Sequence, residues 1–375
     1  MELMDITYRN LTDNDYIQWC RFTEQEYNKG HILTDWPHLK WFMGGAPDCR
    51  PNGYETLIAV LPDGKIVGSY GVLPTQVRVN DKIYSFCWYI NAEVLPEFRN
   101  QGIGKYFVST LLDRFDVNGG IGFNLDVKRN YQRFGFNFFG DRTLRRFIKI
   151  LYPEAYDLTT QIGFNAIQAQ DLVPLAADVF RVRNEAVPIM AFDKSVEYCI
   201  QSIASRVKVT TLRTPPYLNW RYFMNPRLTY ECTGIESQKG LLAYLLVRHE
   251  RFYPTDIYGT RIIDTIGPPE DVEKLLESKI AEAKARHDAL LDFMFTGSLY
   301  EELMETLAFS ELVGPAYEWW PLVTSPIEYR HNEEFICLGS RKYPNLFDGI
   351  QSNDLYFTRG DSDRDRANSV IKENG

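Results

Sequence analysis

Arg99, Gly102 and Gly104 stand in the pattern Arg/Gln-x-x-Gly-x-Gly, within the segment V-L-P-E-F-R-N-Q-G-I-G at 94–104. Strand-forming residues precede it (Trp88, Tyr89, Ile90, then Val94 and Leu95), and Pro96 ends that run. After it, Phe107, Val108, Leu111, Leu112 and Phe115 repeat with helical spacing. A strand, a glycine-bearing turn and a helix N-terminus leave backbone N–H groups unpaired, and the helix dipole adds partial positive charge there. The turn of Arg99, Asn100, Gln101, Gly102, Ile103, Gly104 and Lys105 therefore suits a phosphate or pyrophosphate. It is not a dinucleotide fingerprint, because Phe107 stands where the third glycine should be. The mononucleotide loop Gly-x-x-x-x-Gly-Lys-Ser/Thr is absent.

The elements that must position this turn can be read on either side. Asp13 or Asp15 can cap a helix through Tyr16, Trp19, Cys20 and Phe22. Thr56–Leu61 and Ile66–Val72 flank the turn Pro62-Asp63-Gly64, and Val77–Val79 and Tyr84 flank Asn80-Asp81, which predicts two hairpins. The strand Cys87–Leu95 leads into the glycine turn, a further strand is expected over Ile121–Val127, and Phe136–Phe139 and Arg145–Leu151 are expected to close the sheet. Pro153 to Gln161 reads as a linker.

The turn, together with Tyr131-Gln-Arg-Phe-Gly135-Phe136 about thirty residues on, resembles the GNAT (Gcn5-related N-acetyltransferase) superfamily, whose second signature is Tyr-x-x-x-Gly-Phe. The resemblance implies a coenzyme A pyrophosphate in the glycine turn and a pantetheine arm lying along Glu93–Leu95 like an added strand. A backbone N–H near Val94 or Leu95 would then serve the carbonyl oxygen, and Tyr131 would protonate the leaving thiolate. A phenol near pKa ~10 can serve a thiol near ~8.5 once burial narrows the gap. Glu93 is the expected general base, with Asp126 as its rival. The implied reaction is direct acetyl transfer from acetyl-CoA to a primary amine in a ternary complex. His31, His38, His249, His287 and His331 lie outside both motifs and read as structural. No Ser/His/Asp or Cys/His arrangement suggests an acyl-enzyme.

The second half repeats the order strand (Leu241–Val247), strand (Arg261–Ile266), helix from Pro268, strand (Leu290–Phe295), helix (Tyr300–Leu307). It resembles a second, degenerate unit. Where the first has Arg99-Asn-Gln-Gly102-Ile-Gly104, the second has Asp264-Thr-Ile-Gly267-Pro268-Pro269. Two prolines remove amide donors and Asp264 would repel a phosphate, so no coenzyme A is expected there. The fold class implied is α/β (α+β): two tandem GNAT-like units, each a mixed, mostly antiparallel sheet flanked by helices. The expected division is a catalytic unit at 1–152, a degenerate unit at 162–340, and a C-terminal tail at 341–375 packed on the acceptor site. The tail's Asp361-x-Asp363-x-Asp365 spacing fails as an EF-hand, whose sixth position must be Gly and is Arg366. Tyr217-Leu-Asn-Trp-Arg-Tyr222 and Tyr356-Phe-Thr-Arg-Gly-Asp-Ser-Asp363 resemble segments of two-unit GNAT proteins of surface-polysaccharide biosynthesis. They imply an amino-sugar acceptor, nucleotide-linked. Other acceptors compatible with the same fold are a polyamine, an amino acid or an aminoglycoside, and a non-catalytic coenzyme A-binding module is the alternative outside enzymes.

Composition sets the frame. The chain has 375 residues, a net charge of −9 and 45% hydrophobic residues, enough for more than one buried core. With no basic stripe, nucleic-acid binding is not expected. Six scattered cysteines without a C-x-x-C pair argue for reduced thiols in the cytoplasm and against a metal site. No apolar run approaches the ~20 residues of a membrane span, and the N-terminus lacks a signal-type segment.

Overall fold

The computed structural model describes residues 5–27, 29–50, 53–123, 125–140, 144–176, 186–324, 326–329 and 335–367. The first strands are β1 (Thr7–Asn10), β2 (Leu57–Val60), β3 (Ile66–Val79), β4 (Lys82–Val94), β5 (Val117–Ile121) and β6 (Asn137–Phe138). Among them lie α1 (Tyr16–Glu26), α2 (Trp36–Gly44), α3 (Ile103–Arg114) and α4 (Leu125–Arg133). There follow β7 (Arg145–Ile150), β8 (Val187–Pro188), β9 (Val209–Thr211), β10 (Glu231–Ser237), β11 (Gly240–Arg251), β12 (Tyr258–Ile266), β13 (Leu290–Phe295) and β14 (Ser310–Glu311). A small hairpin, β15 (Val323–Thr324) and β16 (Ile327–Glu328), precedes β17 (Ile336–Gly339) and β18 (Leu355–Tyr356).

Two mixed sheets result. The first runs β1-β2-β3-β4-β5-β17-β6, with β9 pairing β3 and β18 pairing β9; the second runs β14-β7-β13-β12-β11-β10-β8. In each, the one parallel contact among the long strands is bridged by a helix. α3 carries the chain from β4 to β5, and helix Pro269–Ala285 carries it from β12 to β13. Such parallel neighbours need a crossover helix, which the apolar stripe of α3 (Phe107, Val108, Leu111, Leu112) supplies.

Several sequence expectations change here. The strand after α3 is Val117–Ile121, and the residues expected to extend it to Val127 enter α4 instead. Tyr131 therefore sits in the last turn of a two-turn helix. Arg145–Leu151 does not close the first sheet; β7 inserts between β13 and β14 of the second. In return β17, far along the chain, inserts between β5 and β6 of the first. Each sheet is thus completed by a strand from the other half, which local pattern cannot reveal. The segment read as a linker packs as short helical turns, Pro153–Tyr156 and Asp157–Thr160, with Ala155, Tyr156 and Leu158 buried.

Asp264 does not face a phosphate turn. It lies inside β12, fully buried, held by the guanidinium of Arg213 at 2.9 Å and the hydroxyls of Tyr244 (2.7 Å) and Thr358 (3.0 Å). The second unit's gap between β12 and β13 is instead filled by the chain's own tail. β12 and β13 part after Ile262–Phe293. Beyond that point Phe357 exchanges bonds with Thr296, Tyr356 donates to the Thr265 carbonyl at 2.6 Å, and Arg359 clasps both oxygens of Asp292 at 3.0 Å.

Asp292 also meets Arg146 at 2.9 Å. Burial alone would raise its carboxyl; Arg146, Arg359 and Arg261 outweigh it and hold the group well below the usual carboxylate range. Its stabilisation is therefore present at neutral pH and fades only in strong acid. Asp292→Ala strands these guanidinium groups in the interior and is expected to lower unfolding free energy by about 3–5 kcal/mol in urea titration. A loss under about 1 kcal/mol would show that the network is not a stability element.

Candidate active site

β4 is paired on both sides only in its first half. It runs parallel to β5 from Phe86–Val117 to Tyr89–Gly120 and then separates from it. On its other side it stays paired with β3 to Gly68–Val94, through a register shift. Gly71 pairs Ile90 and Tyr70 pairs Ala92, so Asn91 is an extra residue, a β-bulge. Asn91 takes a left-handed conformation (φ 45°), which Asn tolerates best after Gly. Across from it only glycine fits at position 71, because a Cβ there would lie 2.4 Å from the Ile90 carbonyl oxygen.

The bulge fixes the direction of the backbone groups beyond it. The Leu95 N–H bonds the Val67 carbonyl at 3.0 Å, so it points toward β3 and is not free for a ligand. By the alternation of an antiparallel ladder, Val94 and Ala92 then turn their N–H and C=O away from β3, into the gap β5 has left. Of the two donors expected from sequence, Val94 remains and Leu95 is corrected.

The turn Arg99–Lys105 sits at the end of this open edge. Asn100 (φ 62°) and Gly102 (φ 86°) are left-handed, and Gly102 N-caps α3. Among the described residues, the N–H groups of Asn100, Gln101, Gly102, Ile103, Gly104 and Lys105 have no hydrogen-bond acceptor, and the first helical bond is Tyr106 N–H to Gly102 C=O. A Cβ at Gly102 or Gly104 would meet nothing within 4 Å. Gly104 has no positive φ to require glycine, so neither backbone strain nor protein crowding explains it. The contrast with Gly267 is direct, since a Cβ there would lie 2.4 Å from that of Ala243. The Arg99 side chain braces the strand that leads into the turn. Its Nε–H donates to the Val94 carbonyl at 2.8 Å, and its guanidinium reaches Glu26 at 3.4 Å and Glu93 at 3.9 Å.

Tyr131 lies under the gap, buried, its ring 5.0 Å from that of Phe136 and 5.2 Å from that of Phe123. Gly135 (φ 82°) ends α4, and the Phe136 N–H returns to the Tyr131 carbonyl at 3.1 Å, which is the physical content of the Tyr-x-x-x-Gly-Phe spacing. The Tyr131 hydroxyl pairs with that of Tyr70 at 2.5 Å, a partner on β3 that the sequence did not indicate. Burial, then Cys337, pushes the phenol well above its ordinary pKa, against the opposing pull of the Tyr70 bond. Next to it the Asn118 side-chain oxygen accepts from Tyr89 (3.0 Å) and Cys87 (3.2 Å), and its amide nitrogen has no partner among the described residues.

Glu93 is half-buried at the rim. Burial, then the Glu26 charge, raises its carboxyl above the usual range while Arg99 draws it back. The side chain of its rival Asp126 lies outside the described residues. His38 is fully buried on α2 with both ring nitrogens unpaired among the described residues; burial, then Arg366, lowers its pKa to about 3, so it stays neutral. His331 lies outside the described residues. Among the described residues no group of three or more His, Cys, Asp or Glu is arranged to hold a metal, and no helix is long and apolar enough to cross a membrane.

Residues 13–136 match the Acetyltransferase (GNAT) family. Nearly the whole chain has the fold of known structures. A GCN5-related N-acetyltransferase from Anabaena variabilis aligns over 89% of this chain and 72% of its own, with TM-score 0.53 and 12% identity. One from Kribbella flavida aligns over 89% and 71%, with TM-score 0.53 and 11% identity. Saccharomyces cerevisiae N-myristoyltransferase with bound myristoyl-CoA aligns over 90% and 79%, with TM-score 0.53 and 8% identity. At such identities the likeness is one of fold. No curated protein matches the sequence significantly. The open strand edge and the unpaired turn lie within the stretch that matches the family: residues 13–136 are a GNAT-type N-acyltransferase domain.

The open space at Gly104 separates ligand binding from stability. Gly104→Ala is expected to hold or raise thermal stability, since alanine favours a helix over glycine by about 0.5–1 kcal/mol. The same methyl is expected to weaken coenzyme A binding about tenfold or more by titration calorimetry. Unchanged affinity would refute the turn as the pyrophosphate site.

Proposed function

We propose that this protein transfers the acetyl group of acetyl-CoA to the primary amine of an amino-sugar, nucleotide-linked, by direct attack in a ternary complex. The observation that carries the transfer is the β4 edge beyond Asn91, open on one side and ending in a turn of unpaired N–H groups. In this reading the diphosphate lies on Asn100–Lys105 and the arm lies along Ala92–Val94. The Val94 N–H meets the thioester oxygen; one such donor is worth about 3–4 kcal/mol in enzymes of known mechanism. Arg99 holds the Val94 carbonyl and with it the peptide plane.

The acyl group then points toward Tyr70, Tyr89, Tyr131, Phe123 and Phe136, which pack on one another through ring contacts. So filled a floor favours a two-carbon acyl group over a long one. Glu93 takes a proton from the incoming ammonium, and the neutral amine attacks the thioester carbon. As the tetrahedral intermediate collapses, the C–S bond breaks, Tyr131 gives its proton to sulfur, the attacking nitrogen loses its extra proton to water, and water returns a proton to Tyr131. The neighbouring Cys87 and Cys337 thiols are pushed well above their ordinary pKa by burial. The same surroundings disfavour a coenzyme A thiolate and drive its protonation. Tyr70 supports Tyr131 through the shared hydrogen bond.

Support for the sugar acceptor comes from the two segments that resemble polysaccharide-pathway proteins, which pack as one unit here. Arg221 donates to the carbonyls of Gly360 at 2.9 Å and Ser362 at 2.5 Å. The same proposal takes 1–152 as the catalytic unit, 162–340 as a degenerate unit, the tail as a wall of the acceptor site, and the cytoplasm as the setting.

A screen of amines with acetyl-CoA, reading released thiol, tests the acceptor; activity confined to polyamines or aminoglycosides would overturn the sugar. Tyr131→Phe is expected to lower kcat about 10²-fold with coenzyme A affinity unchanged, and a wild-type rate would place the acid elsewhere. Because Glu93 must be deprotonated to act and its pKa is raised, kcat should fall on acidification while the pH is still above the ordinary carboxylate range. Glu93→Gln should abolish that limb along with most of the rate; an unchanged profile would exclude Glu93 as the base.

A further inference from the structure

The tail does more than fill the second unit. After Asp361 it crosses to the mouth of the first unit's cleft, the point where β4 leaves β5. There Arg364 donates to the carbonyl of Ile121, the last residue of β5, at 3.1 Å. Two residues on, the Arg366 Nη1 donates to the Asn91 Oδ1 at 2.6 Å. The Arg366 side chain is only 10% exposed and also pairs with Asp363 at 3.5 Å.

Asn91 is the residue whose insertion sets the phase of everything after it. Without the bulge, the outward positions of β4 shift by one: Glu93 rather than Val94 would face the gap, and the Glu93 side chain would change faces. A single left-handed asparagine is a weak device for holding such a register, since nothing in β3 opposes it except the notch at Gly71. Among the described residues, the Asn91 side-chain oxygen accepts one hydrogen bond, and its donor is Arg366.

We propose that Arg366 is a positioning residue for acyl transfer: through Asn91 its guanidinium pins the bulge that turns the Val94 N–H into the cleft. The inference rests on the proposed function for its catalytic consequence and on the strand geometry for its structural one. It makes the first unit's chemistry dependent on a residue of the C-terminal tail, supplied through the second unit.

The test uses the full chain with Arg366→Ala, Arg366→Lys, Asn91→Gly, Asn91→Ala and the double variant Arg366→Ala/Asn91→Ala. Hydrogen–deuterium exchange of the peptide Ile90–Leu95 should quicken in Arg366→Ala while the second sheet stays protected. With acetyl-CoA and hydroxylamine as the amine, kcat read as thiol release should fall about tenfold or more, in line with the cost of slight misplacement of reacting groups. KM for acetyl-CoA should stay within about twofold, since the turn at Asn100–Lys105 is untouched. Asn91→Gly allows the left-handed backbone and removes the side chain whose oxygen Arg366 holds, so it should resemble Arg366→Ala. Arg366→Lys should recover part of the rate. The double variant should be no slower than Asn91→Ala, because both changes remove one interaction. Exchange at Ile90–Leu95 that does not change in Arg366→Ala would overturn the proposal. So would a wild-type kcat in that variant, or losses that multiply in the double variant. A wild-type protein that binds no coenzyme A and releases no thiol would instead defeat the acyltransferase reading, and the exchange result would still judge the clamp.

Discussion

Two strands that begin side by side and then separate are the constraint on which this molecule turns. A parallel pair left half-made exposes backbone donors and acceptors that folding would ordinarily satisfy within the sheet. Both units contain the feature. β4 leaves β5 after Tyr89 with a bulge at Asn91, and β12 leaves β13 after Ile262 with a register shift at the next residue. They differ in what completes the edge. The second unit satisfies its own with Tyr356, Phe357 and Thr358 and neutralises the surrounding charges with Arg213 and Arg359. The first leaves its edge open beside a turn whose amides are also unpaired. One cleft is filled as core and the other stays open.

This contrast explains why the two halves cannot be separated cleanly. β7 belongs to the second sheet and β17 to the first, and the tail threads from one cleft to the other. The buried arginines Arg213 and Arg221 bond the tail directly, and Arg146 shares Asp292 with the tail's own Arg359. Unpaired, such groups would be costly in the interior; together they hold the segment around Arg359–Arg366 at a defined position over the first cleft. The second unit is in this view a frame that delivers residues to the first.

Much of this was legible in the sequence because the signals were local. The turn at Arg99–Lys105, both early hairpins, the helix after Gly104 and the strand Leu290–Phe295 follow from spacing and from glycine, asparagine and proline placement. What was missed depends on contacts distant along the chain. Strand exchange leaves no periodic mark, since β7 and β17 read as ordinary strands wherever they pair. Tyr70 and Asn118 look like core residues of β3 and β5 until the fold bonds Tyr70 to Tyr131 and Asn118 to Tyr89, whose ring lies against that of Tyr131. Asn91 was the available clue: an asparagine inside an apolar strand run, with Gly71 in the preceding strand, is how a bulge appears in sequence. Asp264 misled because its spacing before Gly267 mimics that of Arg99 before Gly102, whereas its burial inside β12 follows from a strand that runs on to Ile266.

The most direct measurement is hydrogen–deuterium exchange of the intact protein with and without coenzyme A. Slowed exchange is expected at Ala92–Val94 and Asn100–Lys105, with no change at Thr265–Gly267, where the chain already fills the gap. Protection at the second cleft, or none at the first, would contradict that expectation.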